Sequence, residues 1–248
     1  MKSILFFSLP YLFSYFLQTL YGMADLFIIG QFEGVASTTA VSIGSQVMHM
    51  ITVMIVGLAM GATVTIGRAV GAENKPRAAR LIGNTVTLFM AGSVVLAAVL
   101  VGLVDPIVRI VSTPEQAVAG TRTYLIICFI GVPCITAYNI MASIFRGLGD
   151  SRSPMYFIAV ACASNIALDY LFMGALHLGP AGAALGTTLS QLVSVIISLV
   201  VILRRKSGIH LSGADFKLER SALGEILSIG IPVMMQDGFI QVLSLIHI

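Results

Sequence analysis

The sequence predicts an all-α integral membrane protein, and two observations carry that prediction. The first is composition. Of 248 residues, 57% are hydrophobic and 10% charged, against about 45–50% and about 25% in an ordinary soluble domain. With a mean hydropathy of +0.98, the chain has too few polar side chains to cover a surface facing water, so lipid has to be the solvent for most of it. The second observation is segmentation. Charge, Gly and Pro cut the chain into seven apolar runs, each near the roughly 20 residues that a spanning helix needs. The runs are continuously apolar rather than alternating, which excludes a transmembrane β-barrel. A formal net charge of only +3 also argues against a nucleic-acid-binding chain.

The runs fall near residues 3–29, 41–66, 82–104, 123–145, 155–176, 181–203 and 226–242. The first follows Lys2 and could imitate a signal peptide, but no small-residue cleavage site closes it and further spans follow, so we read it as a retained helix. Pro10 lies inside it and permits a bend there, because proline removes one backbone hydrogen bond. The second run contains Gly57-xxx-Gly61 and leads into Gly67-xxx-Gly71, and the sixth contains Gly182-xxx-Gly186; such pairs permit close helix contact. Cys128, Cys134 and Cys162 lie inside apolar runs and read as small hydrophobes, not as a disulfide framework or a zinc site.

Orientation follows from Lys and Arg. With a cytoplasmic N-terminus, the inside segments hold Lys2, Arg68, Lys75, Arg77, Arg80, Arg146, Arg152, Arg204, Arg205, Lys206, Lys217 and Arg220, leaving only Arg109 and Arg122 outside. The segment 204–225 is the longest and most charged connection and reads as a cytoplasmic linker between two lobes. After it, "ILSIGIPVMMQDGF" is similar to the opening "ILFFSLPYLFSYFL", as a parallel internal repeat would be. We therefore expect residues 1–203 to form a six-helix lobe and residues 226–242 to be the first helix of a second, truncated lobe. Residues 243–248, Leu-Ser-Leu-Ile-His-Ile, are the in-frame translation of the sequencing adapter CTGTCTCTTATACACATC, and we expect them to be a non-native tail.

Three carboxylates fall within the spans: Asp25, Asp169 and Asp237. An ionised carboxylate deep in a bilayer costs several kcal/mol, so such residues usually face a cavity and mark an ion or substrate path. Asp25 stands fifteen residues after Pro10 and has a second reading, as a helix cap or a headgroup contact. Asn165 and Asp169 are four apart and share a helix face. They offer hard oxygen ligands for Na+ or a place for a proton, and equally a hydrogen-bonded pair that ties helices together. Thr187 and Thr188 add hydroxyls, although most threonines in such helices bond back to their own backbone. Asp237 receives no role. No HExxH, Cys-x-x-Cys or phosphate-binding loop is present, and no nucleophile is paired with a base, so the chain is not read as an enzyme.

Several spaced motifs together resemble the multidrug and toxic compound extrusion (MATE) family of secondary transporters. They are "LPYLFSYFLQTLYGMADLFIIGQFEG" in the first span, "GLAMGATVTIGRAVGAENKPRAAR" from the second span into its loop, "FRGLGDSRSPM" between the fourth and fifth, and "GPAGAALGTTLSQL" opening the sixth. The resemblance implies two six-helix lobes, twelve helices in all, with the present chain supplying the N-terminal lobe and the start of the other. It implies an antiporter that exports cationic, amphipathic drugs or metabolites across the inner (plasma) membrane of a prokaryote in exchange for Na+ or H+, with no other cofactor. Its partners would be a cationic small molecule, the lipid bilayer and the missing C-terminal lobe, and no nucleic acid. It also implies that Asp25, Asn165, Asp169 and Thr187 form a cation or proton site, with Na+ as the candidate metal and Pro10 as the helix hinge; Thr188 could substitute for Thr187. A related fold that flips lipid-linked sugars is the alternative, and the near absence of Arg and Lys within the spans favours cationic cargo instead.

Overall fold

The computed structural model describes residues 2–204 and 211–246. Arg205, Lys206 and the last two residues of the expected tail, His247 and Ile248, lie outside the described residues. The long helices are α1 (Lys2–Phe32), α2 (Val35–Gly71) and α3 (Lys75–Gly102), followed by a short α4 (Val104–Ile110). Then come α5 (Glu115–Ile130), α6 (Val132–Gly147), α7 (Arg152–Asp169) with a π-helical turn over Tyr170–Ala175, α8 (Gly179–Arg204) and α9 (Arg220–Ile246). No strand occurs among the described residues. Six segments are each long and apolar enough to span a membrane, and the bent pair α5 and α6 makes a seventh. The protein is thus a multi-pass helical membrane protein, with all seven expected runs represented.

The helices run past the apolar cores from which the runs were delimited, because local signals rather than hydropathy end them. Asn74 caps α3, its side chain accepting a hydrogen bond from the Arg77 amide at 3.1 Å, and Pro76 sits in the first turn, where it costs no hydrogen bond. Asp150 accepts from the amides of Arg152 and Ser153 at 3.0 and 3.1 Å and so fixes the start of α7. The preceding Gly149 has φ +82°, a left-handed turn that glycine takes without strain.

The fourth span departs from a single straight helix: α5 and α6 meet at Gly131 with a bend of 54°. Pro133 in the first turn of α6 cannot donate into the preceding turn, and its ring crowds it. Gly131 also lies directly under the side chain of Thr188, where a Cβ would collide with the threonine methyl. The bend therefore lets α8 approach the middle of the fourth span.

Two of the three small-residue pairs make close contacts. Gly57 and Gly61 of α2 face the backbone of α9 at Met234, Ile226 and Gly230, while Gly182 and Gly186 of α8 face Phe172, Met173 and Asp169. In the third pair Gly67 approaches the Gly147 carbonyl, whereas Gly71 has open space. Asp237, given no role from sequence, lies against Gly57.

The connection before α9 is bound down on the bundle. A 3-10 turn at Gly213–Phe216 carries a capping box between Ser212 and Asp215. Asn84 of α3, 1% exposed, donates from Nδ2 to the carbonyls of Asp215 and Lys217 at 3.2 and 3.1 Å and accepts from the Glu219 amide at 2.7 Å. Thr87 adds a bond to the Phe216 carbonyl at 2.9 Å, and Gly83 lets the Asp215 backbone approach. The expected linker is thus shorter than 204–225, since α9 starts at Arg220 and continues beyond residue 242 through Ile246. Asn84→Ala is expected to lower stability by about 2 kcal/mol, the net worth of two or three hydrogen bonds. Thermal unfolding of the purified protein measures it, and an unchanged midpoint would show that the connection is held by other contacts.

Candidate functional site

Three helices bring the sequence-predicted residues together. Asp25 comes from α1, Asn165 and Asp169 from the last turns of α7, and Thr187 from α8. All four side chains leave the surface: Asp25 is 3% exposed, Asn165 and Asp169 are 0%, and Thr187 is 9%. Burial at this depth excludes the reading of Asp25 as a headgroup contact or a solvent-facing cap.

The contacts among the four are few. Thr187 Oγ1 donates to Asp25 Oδ2 at 3.2 Å, and the Asp25 carboxylate also faces Asp169 and Asn165. Yet Asp25 Oδ1, both polar atoms of Asn165 and both carboxylate oxygens of Asp169 are buried without a hydrogen-bond partner. A buried polar atom without a partner costs about 1–3 kcal/mol, more when charged, and here five are gathered in one place. Two carboxylates facing each other in a low dielectric also repel, and a shared proton or a monovalent cation between them removes the repulsion. Carboxylate, amide and hydroxyl oxygens form a hard ligand set that suits Na+ and not a soft or imidazole-seeking metal. No group of three or more His, Cys, Asp or Glu side chains able to hold a metal occurs among the described residues. Chemically, such a set of oxygens is able to take up and release a small cation or a proton.

The two threonines separate clearly. Thr188 Oγ1 bonds back to the Ala184 carbonyl at 2.9 Å, as most such hydroxyls do, and its methyl packs on Gly131. Thr187, one residue earlier, points to Asp25 instead. Thr188 therefore does not take the place of Thr187.

Further features adjoin the site that the residue pattern alone did not single out. Tyr21, one turn before Asp25 on the same face of α1, directs its hydroxyl to the Thr187 carbonyl at 3.5 Å. Gly186 lies against Asp169 Oδ1 so closely that no side chain fits between them. Directly after Asp169 the chain widens into the π-helical turn Tyr170–Ala175, a distortion found mostly as single turns and often at functional sites. The i, i+4 spacing of Tyr21 and Asp25 was a readable signal for the first; the π turn has none in the pattern of apolar residues.

Pro10 lies inside α1 without ending it, and Ser14 Oγ donates to the Pro10 carbonyl at 2.8 Å. Asp25 stands fifteen residues further on, about 22 Å along the axis. The proline does not touch the buried cluster, and any effect of one on the other has to travel along α1.

The sequence and the fold are similar to those of known proteins. The MatE family model matches residues 10–171. The probable multidrug resistance protein YpnP of Bacillus subtilis is 29% identical over 252 residues, covering 100% of this chain and 56% of that protein. A solved outward-facing conformation of a multidrug resistance MATE family transporter of the MOP superfamily superposes with a TM-score of 0.88 at 27% identity, over 95% of this chain and 52% of that one. An inward-facing conformation of such a transporter gives 0.84 at 27%, over 91% and 51%. The chain spans about half the length of the relatives it matches.

Proposed function

The chain belongs to the MatE family, and we propose that it forms the N-terminal lobe, the interlobe linker and the first helix of the second lobe of an ion-coupled antiporter. In this reading residues 1–203 are the lobe, residues from 204 to the start of α9 the linker, and the N-terminus is cytoplasmic in the inner membrane of a prokaryote. The cargo is a cationic, amphipathic drug or metabolite, and the exchanged ion is Na+ or H+. The observation that carries the reading is the buried set of Asp25, Asn165, Asp169 and Thr187, whose unpartnered oxygens a cation or proton would satisfy.

The mechanism is alternating access. Ion binding draws the Asp25 and Asp169 carboxylates together, which ties α1 to α7 and α8. Because Tyr21 and Asp25 grip α8 from one face of α1, the tightening is passed up α1 toward Pro10, where the missing backbone bond makes bending cheapest. A change in that bend narrows the lobe's cavity against cargo, so ion entry and cargo release compete for one state. The similarity to both outward-facing and inward-facing relatives supports a lobe that moves largely as a body.

Cationic cargo fits the placement of charge, since the described Lys and Arg side chains gather toward helix ends and leave the middle of the spans to carboxylates and neutral groups. A flippase for lipid-linked sugars would call for cations lining the cavity, and nothing in the structure favours it. The test is transport by the full-length protein in sealed vesicles. Efflux of a cationic dye is expected to accelerate when an inward Na+ or proton gradient is imposed and to stop when the gradient is collapsed. Efflux indifferent to both gradients would remove ion coupling, and efflux of an anionic dye alone would reverse the cargo assignment.

A further inference from the structure

Next to the buried cluster, the three helices that supply it meet again around the π-helical turn Tyr170–Ala175. The Leu176 amide reaches back five residues to the Leu171 carbonyl at 3.0 Å, so the chain is wider here than in the α7 helix that leads into it. Phe32, the last residue of α1, is seated on this turn. Its ring meets that of Tyr170 edge-on, with centroids 5.9 Å apart and planes at 87°, and a Cβ on Gly174 would stand 3.0 Å from Phe32 Cζ. The ring therefore bridges the beginning and the end of the turn. The Tyr170 hydroxyl adds a second tie to α1, directed to Gln31 Oε1 at 3.5 Å. From the opposite side Gly182 of α8 receives Phe172 and Met173, and Met173 lies in one buried cluster with Ile28 and Ile29 of α1 and Ala183 and Ala184 of α8.

We propose that Phe32 is a positioning residue for the ion site: wedged against the π-helical turn, it fixes the direction in which Asp169 presents its carboxylate. The proposal rests on the reading of Asp25, Asn165, Asp169 and Thr187 as an ion site and adds a residue outside that set.

Each helix that gives the site a side chain also holds the turn. On α1, Phe32 follows Asp25 by seven residues, so both lie on one face two turns apart. On α7, Asp169 immediately precedes the turn, and the next amide, that of Tyr170, is shared between the Ile166 and Ala167 carbonyls. On α8, Gly182 grips the turn and Gly186, one helical turn later, lies against Asp169 Oδ1. A π turn carries one residue more than an α turn. Closing it to regular helix rotates the chain on one side by about 100° relative to the other, the angle of one residue. With Phe32 between Tyr170 and Gly174, and Met173 buried against α1 and α8, neither side is free to rotate. Without the ring, the turn closes at the expense of the end that carries Asp169, and its carboxylate swings away from Asp25. Phe32 thus acts on the ion through Asp169, as the groups that orient metal ligands do.

The full-length protein, purified in detergent, tests this through its unfolding temperature, measured against NaCl with choline chloride holding the ionic strength constant, and against pH. The quantity read is the Na+ or proton concentration that gives half of the parent's ion-dependent shift. Phe32→Ala is expected to raise that concentration about ten-fold, the lower end of what losing an orienting group costs a metal site. Phe32→Tyr keeps the ring and is expected to match the parent. Gly174→Ala presses on the ring from the other side and is expected to behave as Phe32→Ala. Phe27→Ala, which removes an aromatic ring that is 64% exposed on the same helix, is expected to leave the half-effect concentration unchanged. A purely structural role for Phe32 would lower the unfolding temperature in the absence of ion and leave the half-effect concentration where it was; that result, or a Phe32→Tyr variant as weak as Phe32→Ala, overturns the proposal. A parent that responds to neither ion removes the ion-site reading and this role with it, whereas a parent that responds and a Phe32→Ala variant that responds equally remove the role alone.

Discussion

Replacing either buried carboxylate with its amide, Asp25→Asn or Asp169→Asn in the full-length protein, is expected to abolish gradient-driven efflux while leaving membrane insertion and folding intact. The amide keeps the shape and volume of the carboxylate, so the packing of α1 against α7 and α8 is preserved, and removing a charge from within a span makes insertion easier rather than harder. What disappears is the negative charge that binds a cation and the basic oxygen that takes up a proton. A hydrogen bond to a charged group contributes about 1.5–3 kcal/mol, so affinity for the coupling ion should fall by about ten- to a hundred-fold, and coupled efflux should drop to the level of protein-free vesicles. The competing reading, in which Asn165 and Asp169 simply tie helices together, predicts the opposite. An amide at 169 can still hydrogen bond, and efflux would be unaffected. The paired measurement is efflux under an imposed Na+ or proton gradient and the amount of monodisperse protein recovered from the membrane. Normal efflux in both variants, at normal yield, would sink the ion site.

How much of this could be read from the chain depended on whether a signal is local or tertiary. Hydropathy located every span because burial in lipid acts on each helix by itself. It placed the ends poorly: α3 starts at Lys75 and α7 at Arg152, where Asn74 and Asp150 bond the first amides, and hydropathy does not register such caps. It also joined α5 and α6 into one span, since Gly131 and Pro133 sit in a run that is apolar throughout; the bend appears only once Thr188 is seen to press on Gly131. The residue pattern raised Asp25, Asn165 and Asp169 on their own merits, as acidic or paired polar groups in a place where they are costly. It left Thr187 among ordinary back-bonding threonines, and only the family resemblance chose it. Asn84 escaped notice entirely. A lone Asn near the start of a span looks like a boundary residue, and its role as the anchor of the segment before α9 exists only through partners more than a hundred positions away.

Gly186→Ala offers the sharpest separation between fold and site. Gly186 Cα faces Asp169 Oδ1 at a distance that leaves no room for a methyl group, and Asn165 Nδ2 is 3.5 Å from where that methyl would stand. The backbone cannot yield easily, because one turn earlier Gly182 already rests against the Phe172 backbone and the side chain of Met173. The Asp169 carboxylate is the movable part. It has to rotate away from α8, and in doing so it leaves the space it shares with Asn165 and Asp25. Overpacking of this kind costs about 1–3 kcal/mol, which a bundle with this much buried apolar surface should survive. The expected result is therefore a protein that inserts and purifies but has lost both gradient-driven efflux and any shift of its unfolding temperature with Na+ or pH. Gly92→Ala on α3 is the control, since its methyl would meet nothing within 4 Å, and it should behave as the parent. If Gly186→Ala keeps its ion dependence, the coupling ion does not depend on where Asp169 holds its carboxylate, and the ion site would have to be rebuilt around Asp25 and Thr187 alone.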